Sequence, residues 1–127
     1  MPTPVRRLAQ IAVRAHDVAR ATAWYRDVLG LPLLFTAGPD LSFLDLAGVR
    51  LMITSPSEPR FDHPSSILYL DVADLATAHA ELRSRGAVFE RDPALVARLP
   101  HADLWMAFLR DTEDNVLALQ SEVARPA

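Results

Sequence analysis

A chain of 127 residues, half of them hydrophobic, suits one domain with a core that needs neither disulfides nor a structural metal. It has no cysteine and draws all its basic residues from arginine, which excludes a disulfide framework, a thiolate metal site, a cysteine nucleophile and a lysine Schiff base. A net charge of −3 without a long basic run gives nucleic-acid binding no electrostatic support, and no run approaches the roughly 20 apolar residues that span a bilayer.

Nothing near the N-terminus reads as a secretory signal, so a soluble cytoplasmic protein is the expectation. In chain order, Gln10–Arg14 alternates apolar and polar residues and reads as a strand. Asp17 follows at a helix N-cap position, where its carboxylate can accept the free N–H groups of the first turn. Val18, Ala21, Tyr25, Val28 and Leu29 recur at helical spacing; Gly30 closes that helix and Pro32 prevents its continuation. Three short strands come next, Leu33–Phe35, Leu41–Leu46 and Val49–Ile53, the last two joined by the turn Ala47-Gly48. Ser55 to Ser65 is rich in Pro and Ser and reads as an exposed loop.

The pattern then starts again. Ile67–Val72 is a strand, Asp74 a cap, Leu75, Ala78 and Leu82 a helical stripe, and Gly86 a stop. Ala87–Glu90, Leu104–Leu109 and Val116–Gln120 are the next strands, with Asp111–Asn115 as the last turn. Asp92 to Asp103 is expected to be a long loop, with a helical turn at Ala94–Arg98. Asp17 maps to Asp74, and Gln10 to Ile67, at one offset of 57 residues, so caps and strand phase repeat together. The expected fold is α+β: a single domain over 1–127 made of two tandem βαβββ modules, module one 5–55, a linker 56–65 and module two 66–122. Two such sheets side by side curl into a half-barrel with helices outside and a concave pocket inside.

Two segments carry a family resemblance. Gln10-Ile11-Ala12-Val13, Asp17-Val18 and Trp24-Tyr25-Arg26-Asp27-Val28-Leu29-Gly30-Leu31 resemble the opening module of the glyoxalase/bleomycin-resistance/extradiol-dioxygenase group, the vicinal oxygen chelate superfamily. Phe108-Leu109-Arg110-Asp111-Thr112-Glu113-Asp114-Asn115 is similar to the group's closing Asp-Pro-x-Gly-Asn turn, with Thr112 and Asp114 departing from it. In metal-using members the resemblance implies one divalent ion with two ligands from each module, usually His on the first strand and Glu on the last. By motif those positions are Gln10, Met52, Ile67 and Ala118. Only Gln10 offers an oxygen, and a thioether is a poor ligand for a hard cation, so no metal and no cofactor are expected. His16, His63, His79 and His101 form no metal-binding spacing. His16 reads as a turn residue and His79 as a helix-flank residue, whereas Phe61, His63 and His101 are candidates for a pocket rim.

Side chains on a strand alternate faces. With the family's phase, Gln10, Ala12 and Arg14 face the pocket from the first strand, and Ile67, Tyr69 and Asp71 from the fifth. Met52 and Ala118 face it from the last strand of each module, Met106 and Phe108 from the seventh strand, and Trp105 points the other way. This surface, with His101 at its rim, is mostly apolar and adaptable through its methionines, which suits an apolar or aromatic small molecule. Arg14 and Asp71 share the offset of 57 and are expected to approach each other, either as a structural ion pair or as an anchor for an anionic or carbonyl group. Tyr69 is either a polar pocket contact or a half-buried core tyrosine.

Three functions stay open on the sequence. The first is a metal-free binder of the sequestration or resistance type. The second is a metal-independent isomerase, lyase or cyclase using Tyr69, Asp71 or Arg14 as acid or base. The third is a metal-dependent glyoxalase or dioxygenase, against which the mapped ligand positions argue. The expected partner is a small molecule, with no nucleic acid and no membrane, and the resemblance implies a homodimer.

Overall fold

The computed structural model describes residues 3–126. Among the described residues the order is β1 (Gln10–Arg14), α1 (Val18–Asp27), β2 (Leu33–Thr36), β3 (Leu41–Leu46) and β4 (Val49–Thr54), then a 3-10 turn at Pro59–Phe61. The order repeats with β5 (Leu68–Asp71), α2 (Leu75–Ser84), β6 (Val88–Arg98), β7 (Asp103–Arg110) and β8 (Val116–Val123). The chain divides into two compact units, one ending at His63 and the other starting at Pro64. Each is a βαβββ module with a four-stranded mixed sheet, ordered β1-β4-β3-β2 in one and β5-β8-β7-β6 in the other. The class is the expected α+β with tandem modules. No described helix is long and apolar enough to cross a membrane.

The two helices start and stop by the same local chemistry. The Asp17 carboxylate accepts from the Arg20 N–H, and that of Asp74 from the Thr77 N–H, each at 3.0 Å. Gly30 and Gly86 follow the helices at φ of 80° and 100°, a left-handed conformation that a side chain would strain. α1 buries Val18, Ala21, Thr22 and Tyr25 against its sheet, where Val13, Leu44, Leu51 and Ile53 are also buried. In this layer the Thr22 hydroxyl meets the Ser42 hydroxyl at 2.6 Å. α2 buries Leu75 and Leu82, and its sheet contributes Ala107, Leu109, Leu117 and Leu119. The first and last strands of each module pair in parallel, placing Ala12 opposite Met52 and Tyr69 opposite Ala118.

One expectation is corrected. Asp92 to Arg98 is not a loop with a helical turn; β6 continues through it to Arg98, antiparallel to β7, and residues 99–102 alone make the turn. Three register shifts interrupt β6, at Phe89/Arg91, Arg91/Ala94 and Leu95/Ala97. Each shift breaks the two-residue alternation that marks a strand in sequence. Pro93 falls inside one of them, where its missing N–H is tolerated. A smaller correction applies at β5, which starts at Leu68 and leaves Ile67 just outside it.

The closing turn between β7 and β8 is tied down by Asn115, which is fully buried. Its Nδ2 donates to Asp111 Oδ2 at 2.9 Å, and its Oδ1 accepts from the Ser65 N–H at 3.1 Å. Asp114 takes a φ of 64° in the same turn. Asn115→Ala removes these side-chain bonds at a buried position and is expected to destabilise the protein by about 1–3 kcal/mol. Urea unfolding of the variant checks this; an unchanged midpoint would show that backbone bonds alone hold the turn.

Candidate functional site

Each sheet packs its helix on one face, so the alternate side chains emerge on the other. In module one the emerging set is Gln10, Ala12 and Arg14 from β1, Arg50, Met52 and Thr54 from β4, and Phe43 from β3. Gln10 stands directly opposite Arg50 in the parallel ladder. Its Oε1 accepts from Arg50 Nε at 2.8 Å, and its Nε2 donates to the Met52 sulfur at 3.5 Å. The Arg50 guanidinium lies 5.1 Å over the Phe43 ring, and Phe43 packs on Phe35 with centroids 4.6 Å apart. Phe35 itself is 49% exposed.

Arg14 has a partner in the linker segment. Its Nη1 donates to Asp62 Oδ1 at 2.8 Å, and His16 Nε2 meets the same oxygen at 2.8 Å. Asp62 follows the 3-10 turn, so this clamp fastens the linker segment to the end of β1. Arg14 first, and then His16, hold the Asp62 carboxyl below its ordinary range. Asp71 lies at the end of β5, exposed, opposite Gln120.

In module two, Tyr69, Ala118 and Phe108 form one row across β5, β8 and β7. Ala118 is 0% exposed and stands in register between the two ring-bearing residues, whose ring centroids are 6.3 Å apart with planes at 84°. Tyr69 is 49% exposed. Met106 continues the face beside Gln120, and the Arg91 guanidinium stands 6.0 Å from the Phe108 ring. His101 lies in the β6–β7 turn, exposed, with Nε2 2.8 Å from Glu122 Oε1. His63 lies in the linker segment. Trp105 points to the helix side, opposite Ser121, and lines a cavity of about 440 Å³ with Ala73, Leu75, Ala76 and Pro93.

Arg50, Asp62, Phe35 and Phe43 were not among the site residues expected from sequence. Strand alternation with Met52 was a signal for the face of Arg50; Asp62 had no such signal.

The mapped ligand positions do not fit a metal ion. Ala118 is buried and has no donor, and Ile67 has none. The Met52 sulfur already accepts from the Gln10 amide, and the Gln10 oxygen is held by a guanidinium. A cation seeking that oxygen would meet a positive charge first. Among the described residues no three His, Asp or Glu side chains form a group that could hold an ion.

A sequence model of the Glyoxalase/Bleomycin resistance protein/Dioxygenase superfamily matches residues 7–119. No curated protein matches the chain. Among solved structures, TnmS3, an antibiotic binding protein from Streptomyces sp. CB03234, superposes with a TM-score of 0.78 at 20% identity, covering 95% of this chain and 99% of that one. A glyoxalase/bleomycin resistance protein/dioxygenase from Alicyclobacillus acidocaldarius gives 0.72 at 20% identity, covering 96% and 95%. Lactoylglutathione lyase from Agrobacterium tumefaciens gives 0.69 at 18% identity, covering 94% and 96%.

The Asp62 clamp makes a pH prediction. A carboxyl whose folded pKa lies below its unfolded value stabilises the fold above the unfolded value and stops doing so as pH falls through the folded one. The wild type is therefore expected to melt above Asp62→Asn at neutral pH, and to lose that lead only below the ordinary Asp value of about 3.9. Thermal midpoints of both proteins, followed from neutrality into strong acid, test the clamp. A lead absent at neutrality, or undiminished in strong acid, contradicts it.

Proposed function

The chain belongs to the Glyoxalase/Bleomycin resistance protein/Dioxygenase superfamily, and on that premise we propose that it binds a small, largely apolar or aromatic molecule without a metal, as a sequestering protein. The observation that carries this is the row of Tyr69 and Phe108 over the buried Ala118. Two rings set edge to face over a small residue make a shallow apolar seat, and Met106 beside them can adjust its shape. Ala12, Met52 and Phe43 give the helix-free face of module one the same apolar character. Such a surface with few polar groups is the usual chemistry of a small-molecule site. TnmS3 shows that the shared fold supports an antibiotic binding protein. The remaining site residues of this proposal are Gln10, Arg14, Ile67, Asp71 and His101.

A second use of the same face is a metal-independent isomerase, lyase or cyclase. What favours it is the spacing of Tyr69 and Asp71, two residues apart on β5 and on one face, which offers a hydroxyl and a carboxylate to one bound molecule.

The test is an NMR titration with a neutral aromatic probe, 2-naphthalenemethanol. Saturable shifts centred on Tyr69, Phe108 and Ala118 are expected, and Tyr69→Ala should weaken binding by about tenfold through loss of one aromatic wall. Tyr69→Phe should bind nearly as well as wild type if the protein only sequesters, and would lose turnover if the hydroxyl serves an enzyme. Shifts confined to other residues, or none at all, would sink the site. Zn²⁺ or Mn²⁺ added to the protein should leave its melting temperature unchanged; stoichiometric retention of either ion would count against the metal-free reading.

A further inference from the structure

We propose that Arg50, steadied by Gln10, is an anchor for an anionic oxygen, so that the helix-free face of module one takes a planar aromatic acid, a carboxylate or a phenolate. This concerns the second apolar face of the binding proposal, separate from the Tyr69 seat, and rests on that proposal.

Three observations carry it. First, Arg50 has its guanidinium committed on one edge only. Nε donates to Gln10 Oε1 at 2.8 Å, and among the described residues no carboxylate lies within ion-pair distance of it. Its cross-strand neighbour Asp45 spends Oδ1 on the Gly48 N–H at 3.0 Å. Arg14 and Arg110, by contrast, each have a carboxylate within 3 Å. Second, the guanidinium is held by two contacts. The Gln10 bond fixes it at one edge and the Phe43 ring, 5.1 Å away, supports its plane. Its terminal N–H groups then form a preset fork, the geometry that suits a carboxylate. Third, the aromatic floor is next to the charge. Phe43 packs on the half-exposed Phe35, so a flat ring laid on that pair would bring its acidic substituent toward Arg50.

Arg50 is exposed, so its pull is screened by salt and works at short range. The chain's net charge is −3, so general attraction for anions does not explain a preference for an acid. The ring supplies apolar burial, the guanidinium supplies selection, and the neutral Gln10 and Met52 leave the charge available.

The experiment compares 2-naphthoate with 2-naphthalenemethanol, two probes of one shape and different charge, by calorimetry on wild type, Arg50→Gln and Arg50→Lys. Wild type should prefer naphthoate by about tenfold, the usual worth of a hydrogen bond to a charged group. Arg50→Gln should bind both probes equally, and Arg50→Lys should keep part of the preference. A wild type without preference, or a preference that survives Arg50→Gln, overturns the anchor while leaving the binding proposal standing. Neither probe binding to wild type overturns both. If sedimentation shows that Arg50→Gln changes the association state while probe affinities stay put, the residue is a contact for a second copy and the anchor is wrong.

Discussion

A first strand can lie parallel to the last strand of its own module only if the chain between them leaves the sheet, crosses it and returns. That is the job of α1 and α2, and the ladders β1–β4 and β5–β8 are the result. The helix must start at once after the strand and stop in time for the next one, which is why both modules place Asp at the cap and a left-handed Gly behind the last turn. Once the helix covers one face, strand alternation assigns every other side chain to the opposite face. The parallel ladder then decides which of those side chains become neighbours. Gln10 meets Arg50 across 40 residues of chain, and Tyr69 meets Ala118 across nearly 50.

This separates what the sequence could tell from what it could not. Caps, glycine stops and strand phase are local, and the chain states them twice at one offset, so the βαβββ order of both modules is legible in the sequence. Alternation groups Tyr69 with Asp71 and Met106 with Phe108, and the family resemblance, rather than alternation, supplies which face they take. β6 failed because its bulges erase the two-residue period, and Ala94, Leu95 and Ala97 spaced that way imitate a helical turn. Arg50 lay on the right face in the sequence, but its value comes from Gln10 and Phe43, which only pairing brings to it. Asp62 sits in a linker with no period at all, and its importance is visible only in the guanidinium and the imidazole that share its oxygen. The two sheets could be outlined from local rules; the polar contacts on them depend on partners far along the chain.

The residues at the mapped ligand positions work as a set with Arg50. A His at position 10 would offer a ring nitrogen to a metal and, when protonated, would repel the guanidinium beside it. Gln10 instead gives Arg50 an oxygen and remains neutral at every pH. A Glu at position 52, two residues along the same strand face, could pair with Arg50 and cancel its charge. Met52 takes a weak bond from the Gln10 amide and leaves that charge intact. In module two, a carboxylate at position 118 would have to be desolvated between two rings, whereas Ala118 is buried between Tyr69 and Phe108 at no such cost. Gln10, Met52 and Ala118, which supply no ligand set for an ion, therefore leave a guanidinium with no carboxylate partner among the described residues on one apolar face and an aromatic seat on the other. A face of the first kind selects by charge and one of the second by shape, and neither calls for more than burial and one charge-assisted hydrogen bond.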